Sequence, residues 1–259
     1  MAEAAARKVD RLDVTPRFTA ADAIRLNNMF RGAGTQEVLE AVLGEHILGE
    51  VALVSSFGAE SAALLHLIAS VDPSVPVLFL DTGKHFPETL AYRDQLAERL
   101  GLRNLRTIAP DPEALAKRDE TGLRWSYDPD GCCEIRKVQP LVKALAAFDA
   151  TITGRKAFQA TTRNALPRFE LDGASVEGRL KFNPLADWTR DDIQRWFEEH
   201  DLPRHPLEAQ GYLSIGCAPC TSVVKPGEDP RAGRWRGWEK TECGIHTSVG
   251  DNDPNQPSF

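Results

Sequence analysis

The chain has 259 residues, 42% hydrophobic and 27% charged, which is enough for a full core and close to the upper size of one domain. Its net charge of −7 argues against a protein whose main task is coating nucleic acid. No apolar run approaches the roughly 20 residues that span a bilayer, so no membrane partner is expected. Met1–Asp10 is Ala-rich and charged without the apolar stretch of a secretory signal, which makes a cytoplasmic location the expectation.

Residues 1–50 read as polar and helical, with amphipathic candidates at Ala20–Phe30 and Gln36–Leu48. Val51–Ser55 is a short apolar run, followed by the turn Ser56-Phe57-Gly58-Ala59-Glu60-Ser61 and a helical stretch Ala62–Ala69, so strand, turn, helix is predicted. Val75–Leu80 is a second strand ending at Asp81-Thr82-Gly83, and Pro87 opens a helix to about Leu100. Leu102–Ile108 is a third strand, before a helix over Asp111–Asp119. Ala150–Thr153 and Phe182–Leu185 are brief strands, and Trp188–His200 is a helix opened by Thr189, with Asp191 and Asp192 in its first turn. From Pro203 onward proline and glycine are dense, which predicts irregular structure and short helices, and Asp251–Phe259 reads as a loose tail.

Strands alternating with helices predict an α/β fold, an open, mostly parallel sheet with helices on both faces. One domain spanning residues 1–259 with a C-terminal extension is the simplest architecture. Ligands on such sheets sit beyond the carboxyl ends of the strands, where Ser55–Ser61, Asp81–Lys84 and Thr153–Lys156 would gather. The small residues Ser55, Ser56, Gly58 and Ser61 lie directly before a helix, where backbone N–H groups and the helix dipole suit a phosphate or sulfate. Many such turns are plain strand–helix connections, and this one lacks the terminal G-K-[ST] of a Walker loop. His85, in Asp81-Thr82-Gly83-Lys84-His85, reads as a structural or surface histidine rather than a base.

The five cysteines form an adjacent pair (Cys132, Cys133), a C-x-x-C pair (Cys217, Cys220) and a single (Cys243). Two close pairs and one remainder suggest a four-thiolate metal site and one free thiol. Adjacent cysteines do not easily reach one small ion but suit two corners of a larger cluster, so an iron–sulfur cluster leads, with zinc or an unpaired redox set as alternatives. Arg136 and Lys137 follow the first pair by about one turn if the segment is helical; a cation there offsets cluster charge and reaches an anion, unless it is only a solvated helix lysine. Cys243 has Lys240 and His246 within three residues, neighbours that favour the nucleophilic thiolate. Arg231, Arg234 and Arg236 make a local basic excess, readable as an anion site or as a solvated turn.

Taken in order, S-S-F-G-A-E-S, L-D-T-G-K-H-F-P-E-T, C-C-E-I-R-K-V-Q-P-L, G-C-A-P-C-T and K-T-E-C-G-I-H resemble the assimilatory adenylyl-sulfate (APS) reductases, relatives of the phosphoadenylyl-sulfate (PAPS) reductases. The resemblance runs from about residue 50 to 246. It implies a PP-loop nucleotide-binding fold and a 4Fe–4S cluster on Cys132, Cys133, Cys217 and Cys220. It further implies that Ser55–Ser61 and Asp81 hold the nucleotide while Lys137, Arg155, Arg231, Arg234 and His246 meet the anion. Where family members carry paired arginines this chain reads Gly154-Arg155-Lys156, which leaves Arg155, Lys156 and Arg163 as alternative contacts.

In the implied reaction Cys243 attacks the sulfur, AMP leaves, and thioredoxin or glutaredoxin releases sulfite from the S-sulfocysteine. The cluster is then an electrostatic and structural element, since the dithiol supplies both electrons. A tail over about 238–259 is expected to be mobile without substrate and to close over it when bound, because Cys243 must serve both a shielded pocket and an external protein. Competing readings are PAPS or dual use, an ATP-using PP-loop adenylating or thiolating enzyme, and an iron–sulfur regulator. The residues leave the oligomeric state open, a homo-oligomer included.

Overall fold

The computed structural model describes residues 17–159, 166–173, 175, 178–240, 242, 244 and 245. Helices α1 (Ala20–Met29) and α2 (Thr35–Gly44) lead into β1 (Val51–Val54), α3 (Ser61–Val71), β2 (Val77–Leu80), α4 (Pro87–Arg99) and β3 (Leu105–Ile108). This is the strand–helix alternation that the apolar runs predict. Pro87 stands in the first turn of α4, where its missing N–H costs nothing. A short α5 (Pro112–Arg118) follows, its first turn capped by Asp111, which accepts from the N–H groups of Glu113 and Ala114.

Next comes a helical run in three parts: α6 (Pro129–Cys133), a π-helical turn (Glu134–Val138) and α7 (Gln139–Leu145). β4 (Ala150–Thr153) has the predicted bounds, whereas β6 (Leu180–Phe182) lies slightly earlier than the apolar run suggests. Between them β5 (Phe169–Leu171) forms an antiparallel edge strand on β6. Helix α8 (Arg190–Glu199) opens on a reciprocal cap, in which the Thr189 N–H donates to Asp192 and the Asp192 N–H donates to Thr189 Oγ1. Beyond it, the described chain is irregular, with single 3₁₀ turns at Glu208–Gln210 and Ala218–Cys220. Among the described residues no helix is long and apolar enough to cross a membrane.

The sheet runs β3-β2-β1-β4-β6-β5, parallel except for β5. Side chains alternate across it with period two. Val51 and Leu53 of β1 and Val77 and Phe79 of β2 join a large core with α1, α2, α3, α4 and α8. Ala52, Leu78 and Leu80 face the other way, against Leu141 and Leu145 of α7. Helices therefore cover both faces. Because β1 lies between β2 and β4, the chain leaves it in opposite directions for its two neighbours, and this switch point opens a crevice at the carboxyl ends of β1 and β4.

Candidate functional site

A cavity of about 440 Å³ occupies that crevice. Ser55, Ser56, Gly58 and Ser61 line it from the loop after β1, and Gly154, Arg155 and Lys156 from the loop after β4. The first loop is shaped by Phe57, which is fully buried with φ +49 and packs edge-on against Phe79, ring centroids 5.7 Å apart. A non-glycine residue in the left-handed region costs of order 1–3 kcal/mol and is tolerated where packing over-determines it. The Phe57 N–H donates to Ser55 Oγ at 3.2 Å, so this hydroxyl helps to hold the turn that fronts the cavity.

Arg155 and Lys156 are both buried and both engaged by protein acids. Arg155 pairs with Glu170 on β5 and donates to Asn183 Oδ1 at 3.2 Å, while Lys156 Nζ meets Glu60 at 2.9 Å. Arg163 lies outside the described residues. Asp81 does not line the cavity: its carboxylate accepts the Gly83 N–H at 2.9 Å and shapes the turn after β2. His85 lines it instead, held by a 2.8 Å hydrogen bond between Nε2 and the Leu80 carbonyl, in keeping with a structural histidine.

A second, much smaller cavity is lined by all four paired cysteines, Cys132, Cys133, Cys217 and Cys220. Pro129 and the Asp128 carboxylate, which accepts the Gly131 N–H at 2.8 Å, start the helix that carries the first pair. A Cβ at Gly131 would stand 2.3 Å from the Arg124 guanidinium, so a larger residue there would displace the Arg124 and Asp128 side chains. The C-x-x-C loop docks on the end of β2: the Ala218 N–H donates to the Lys84 carbonyl at 2.8 Å, and Thr82 Oγ1 lies 3.3 Å from Cys217 Sγ. Arg136 is structural. Its guanidinium is buried between Asp119 (2.7 Å) and the Thr82 carbonyl (2.7 Å), tying the cysteine helix to the same strand end.

Burial pushes the Cys132 and Cys220 thiols up. Burial acts on Cys217 too, but Lys137, the Thr82 hydroxyl and Arg234 outweigh it and hold that thiol below its usual range. Thiolates gathered here therefore need compensating positive charge. Among the described residues no set of three or more His, Cys, Asp or Glu side chains is arranged to hold a single metal ion.

The two cavities share a wall. Lys137, Cys217 and Trp235 line both. Trp235 is 4% exposed, and three cations surround its ring: Arg234 at 4.4 Å, Lys240 at 5.6 Å and Arg231 at 6.0 Å from the centroid. Arg231 and Arg234 both line the larger cavity. Gly216 gives Arg234 its path, since a Cβ would lie 2.3 Å from the guanidinium. Cys243 and His246 lie outside the described residues. Their described neighbours are docked: Lys240 pairs with Asp130 on α6, Glu242 with Arg231 at 3.3 Å, and Ile245 packs against the core cluster that contains Leu141 and Leu145.

A family model described as the phosphoadenosine phosphosulfate reductase domain matches residues 50–223. The chain belongs to this family. It is 50% identical over 242 residues to an adenosine 5′-phosphosulfate reductase of Mesorhizobium japonicum, covering 93% of this chain and 94% of that protein. It is also 43% identical over 213 residues to a phosphoadenosine 5′-phosphosulfate reductase of Gloeobacter violaceus, covering 80% and 88%. Among solved structures, the phosphoadenylyl-sulfate reductase of Candida auris in its phosphate complex matches with a TM-score of 0.67 and 27% identity, over 80% of this chain and 98% of that one.

Sequence reasoning missed part of the larger cavity's lining. Trp235 belongs to the shared wall, and Gln159, Arg190, Arg204 and Glu208 also line this cavity. Nothing in the sequence around Trp235 marks it; the hydrogen bond from the Trp235 N–H to the Cys220 carbonyl (3.0 Å) brings it to the cysteines. Arg190 and Arg204 look like ordinary surface arginines in the sequence and carry no signal of their own.

Proposed function

We propose that the chain reduces adenylyl sulfate to sulfite and AMP in assimilatory sulfate reduction, with Cys243 as nucleophile and thioredoxin or glutaredoxin as electron donor. The observation that carries this reading is the common wall of Lys137, Cys217 and Trp235 between a switch-point cavity and a four-cysteine cavity. A nucleotide in the larger cavity would place its anionic end among Lys137, Arg231 and Arg234, with Ser55, Ser56, Gly58 and Ser61 along the loop side. Arg155, buried and paired with Glu170, lines the same cavity from the loop after β4. His246 follows Cys243 by three residues and is assigned to the anion as well.

The four thiols fit a 4Fe–4S cluster better than a single ion. Two come from adjacent residues, all four line one cavity, and their burial calls for a cationic partner. Bound there, the cluster supplies fixed charge and a rigid support beside the substrate cavity. In the reaction the Cys243 thiolate forms a bond to the substrate sulfur, and the bond from that sulfur to the phosphate oxygen breaks, its electron pair leaving with AMP. Lys137, Arg231 and Arg234 stabilise charge as it moves onto the phosphate. One thiolate of the dithiol protein then attacks Cys243 Sγ and sulfite departs. The second thiol resolves the mixed disulfide, so the dithiol loses two electrons and Cys243 is restored.

The chain acts in this scheme as one α/β unit in the cytoplasm, with a segment over about 238–259 carrying the nucleophile. Sulfite release from adenylyl sulfate with thioredoxin and without ATP tests the proposal. The same assay with the 3′-phosphorylated substrate tests its preference for the unphosphorylated nucleotide, which relatives of both names make a necessary comparison.

A further inference from the structure

The acids around the larger cavity fall into two groups. Glu60 and Glu208 lie together, burial and then the charge on Glu60 raising the Glu208 carboxyl, and they pair with Lys156 and Arg204. Glu242 stands at the other end, with Arg231, whose neighbours across Trp235 are Arg234 and Lys240. Its carboxylate lies 3.3 Å from Arg231 Nη2, with the side chains 16% and 21% exposed, and both line the cavity. A carboxylate is thus lodged in the cationic end of a cavity built for an anion, one residue before Cys243.

The geometry points to Glu242 as an internal counter-ion that occupies Arg231 until the substrate takes its place; this rests on the adenylyl-sulfate reading of the cavity. The phosphosulfate and Glu242 compete for one guanidinium, because two anions at contact distance from it repel one another. Without nucleotide, the Arg231–Glu242 pair and the Lys240–Asp130 pair fasten the chain on either side of residue 241. When the substrate's anion takes Arg231, the carboxylate is released and that fastening opens. Anion binding is thereby coupled to the freedom of the segment that carries the nucleophile, a reciprocal coupling in which each event opposes the fastened state. Glu242 is a positioning residue in this account and touches no reacting atom.

The test is a double-mutant cycle in the full-length, anaerobically purified protein carrying Cys243→Ser to prevent transfer. Adenylyl sulfate and AMP are titrated calorimetrically into the Glu242→Gln, Arg231→Gln and combined variants. Glu242→Gln should tighten both ligands at least about fivefold, and this gain should vanish in the Arg231→Gln background. Unchanged or weaker binding in Glu242→Gln, or an equal gain in both backgrounds, overturns the inference. Hydrogen exchange without any ligand decides it separately: amides over 238–245 should exchange faster in Glu242→Gln than in its parent, and equal rates contradict the fastening. Failure of the parent to bind adenylyl sulfate would count against the functional reading, while the exchange comparison would still decide the role of Glu242.

Discussion

The hydroxyl of Thr82, at the end of β2, lies 3.3 Å from the sulfur of Cys217, so the strand end and the C-x-x-C loop form one structure. The same residue offers its carbonyl to Arg136 on the cysteine helix at 2.7 Å. Thr82 is fully buried and joins the two halves of the cysteine quartet through one side-chain and one backbone contact. Hydrogen bonds to charged groups contribute about 1.5–3 kcal/mol. Thr82→Val should therefore speed loss of iron to a chelator by roughly tenfold, while Thr82→Ser should behave as wild type. Equal rates in all three proteins would make the contact incidental.

Lys137 lines both cavities, and its charge is felt at Cys217. If it serves charge developing on the substrate, Lys137→Ala should lower turnover by about 10²–10³ and leave iron per chain unchanged. Iron loss in proportion to activity would make it a support of the cysteine cavity instead.

Serine at any one of Cys132, Cys133, Cys217 or Cys220 should abolish the broad absorption near about 400 nm expected of a thiolate-bound iron cluster. Cys243→Ser should keep the colour and lose turnover. Stoichiometric zinc without iron or sulfide in anaerobic protein would contradict the cluster.

A pH effect should come from His205, which is 1% exposed between Tyr92 and Thr89. Its Nδ1 accepts the Leu207 N–H at 3.2 Å and its Nε2 meets Thr89 Oγ1 at 3.1 Å, an arrangement that uses the neutral ring. Burial lowers its pKa from 6.5 to about 4. The unfolded chain then binds one proton more than the folded chain between these values, so stability falls as the pH drops from 6.5 towards 4. Denaturation midpoints across this range should fall less steeply in His205→Gln than in wild type. The same slope in both would clear His205 of the effect.

The strands were legible where burial on both faces leaves an unbroken apolar run, as in Val51–Val54 and Val77–Leu80. β5 was not, because three residues, Phe169-Glu170-Leu171, on an edge carry too little pattern to read. The cysteine helix was hidden by Gly131 and Pro140, both poor helix formers. The π-helical turn over Glu134–Val138 explains how the helix passes Pro140, which lacks an N–H and crowds the carbonyl four residues back, at Arg136. The position of the loops after β1 and β4 was legible because the loops at the carboxyl ends of parallel strands gather at one sheet edge. The far wall was not, since Arg204 and Glu208 are brought to those loops by the packing of α8 and the turn after it.

The central claim is that Cys243 takes the sulfonyl group from adenylyl sulfate. Mass spectrometry of the anaerobic protein, mixed with adenylyl sulfate and no thiol donor, tests it most directly. The account predicts one SO₃ added per chain on a peptide containing Cys243, one AMP released, and discharge as sulfite when thioredoxin is added. An unmodified Cys243 alongside AMP release, or the same adduct in Cys243→Ser protein, would contradict it.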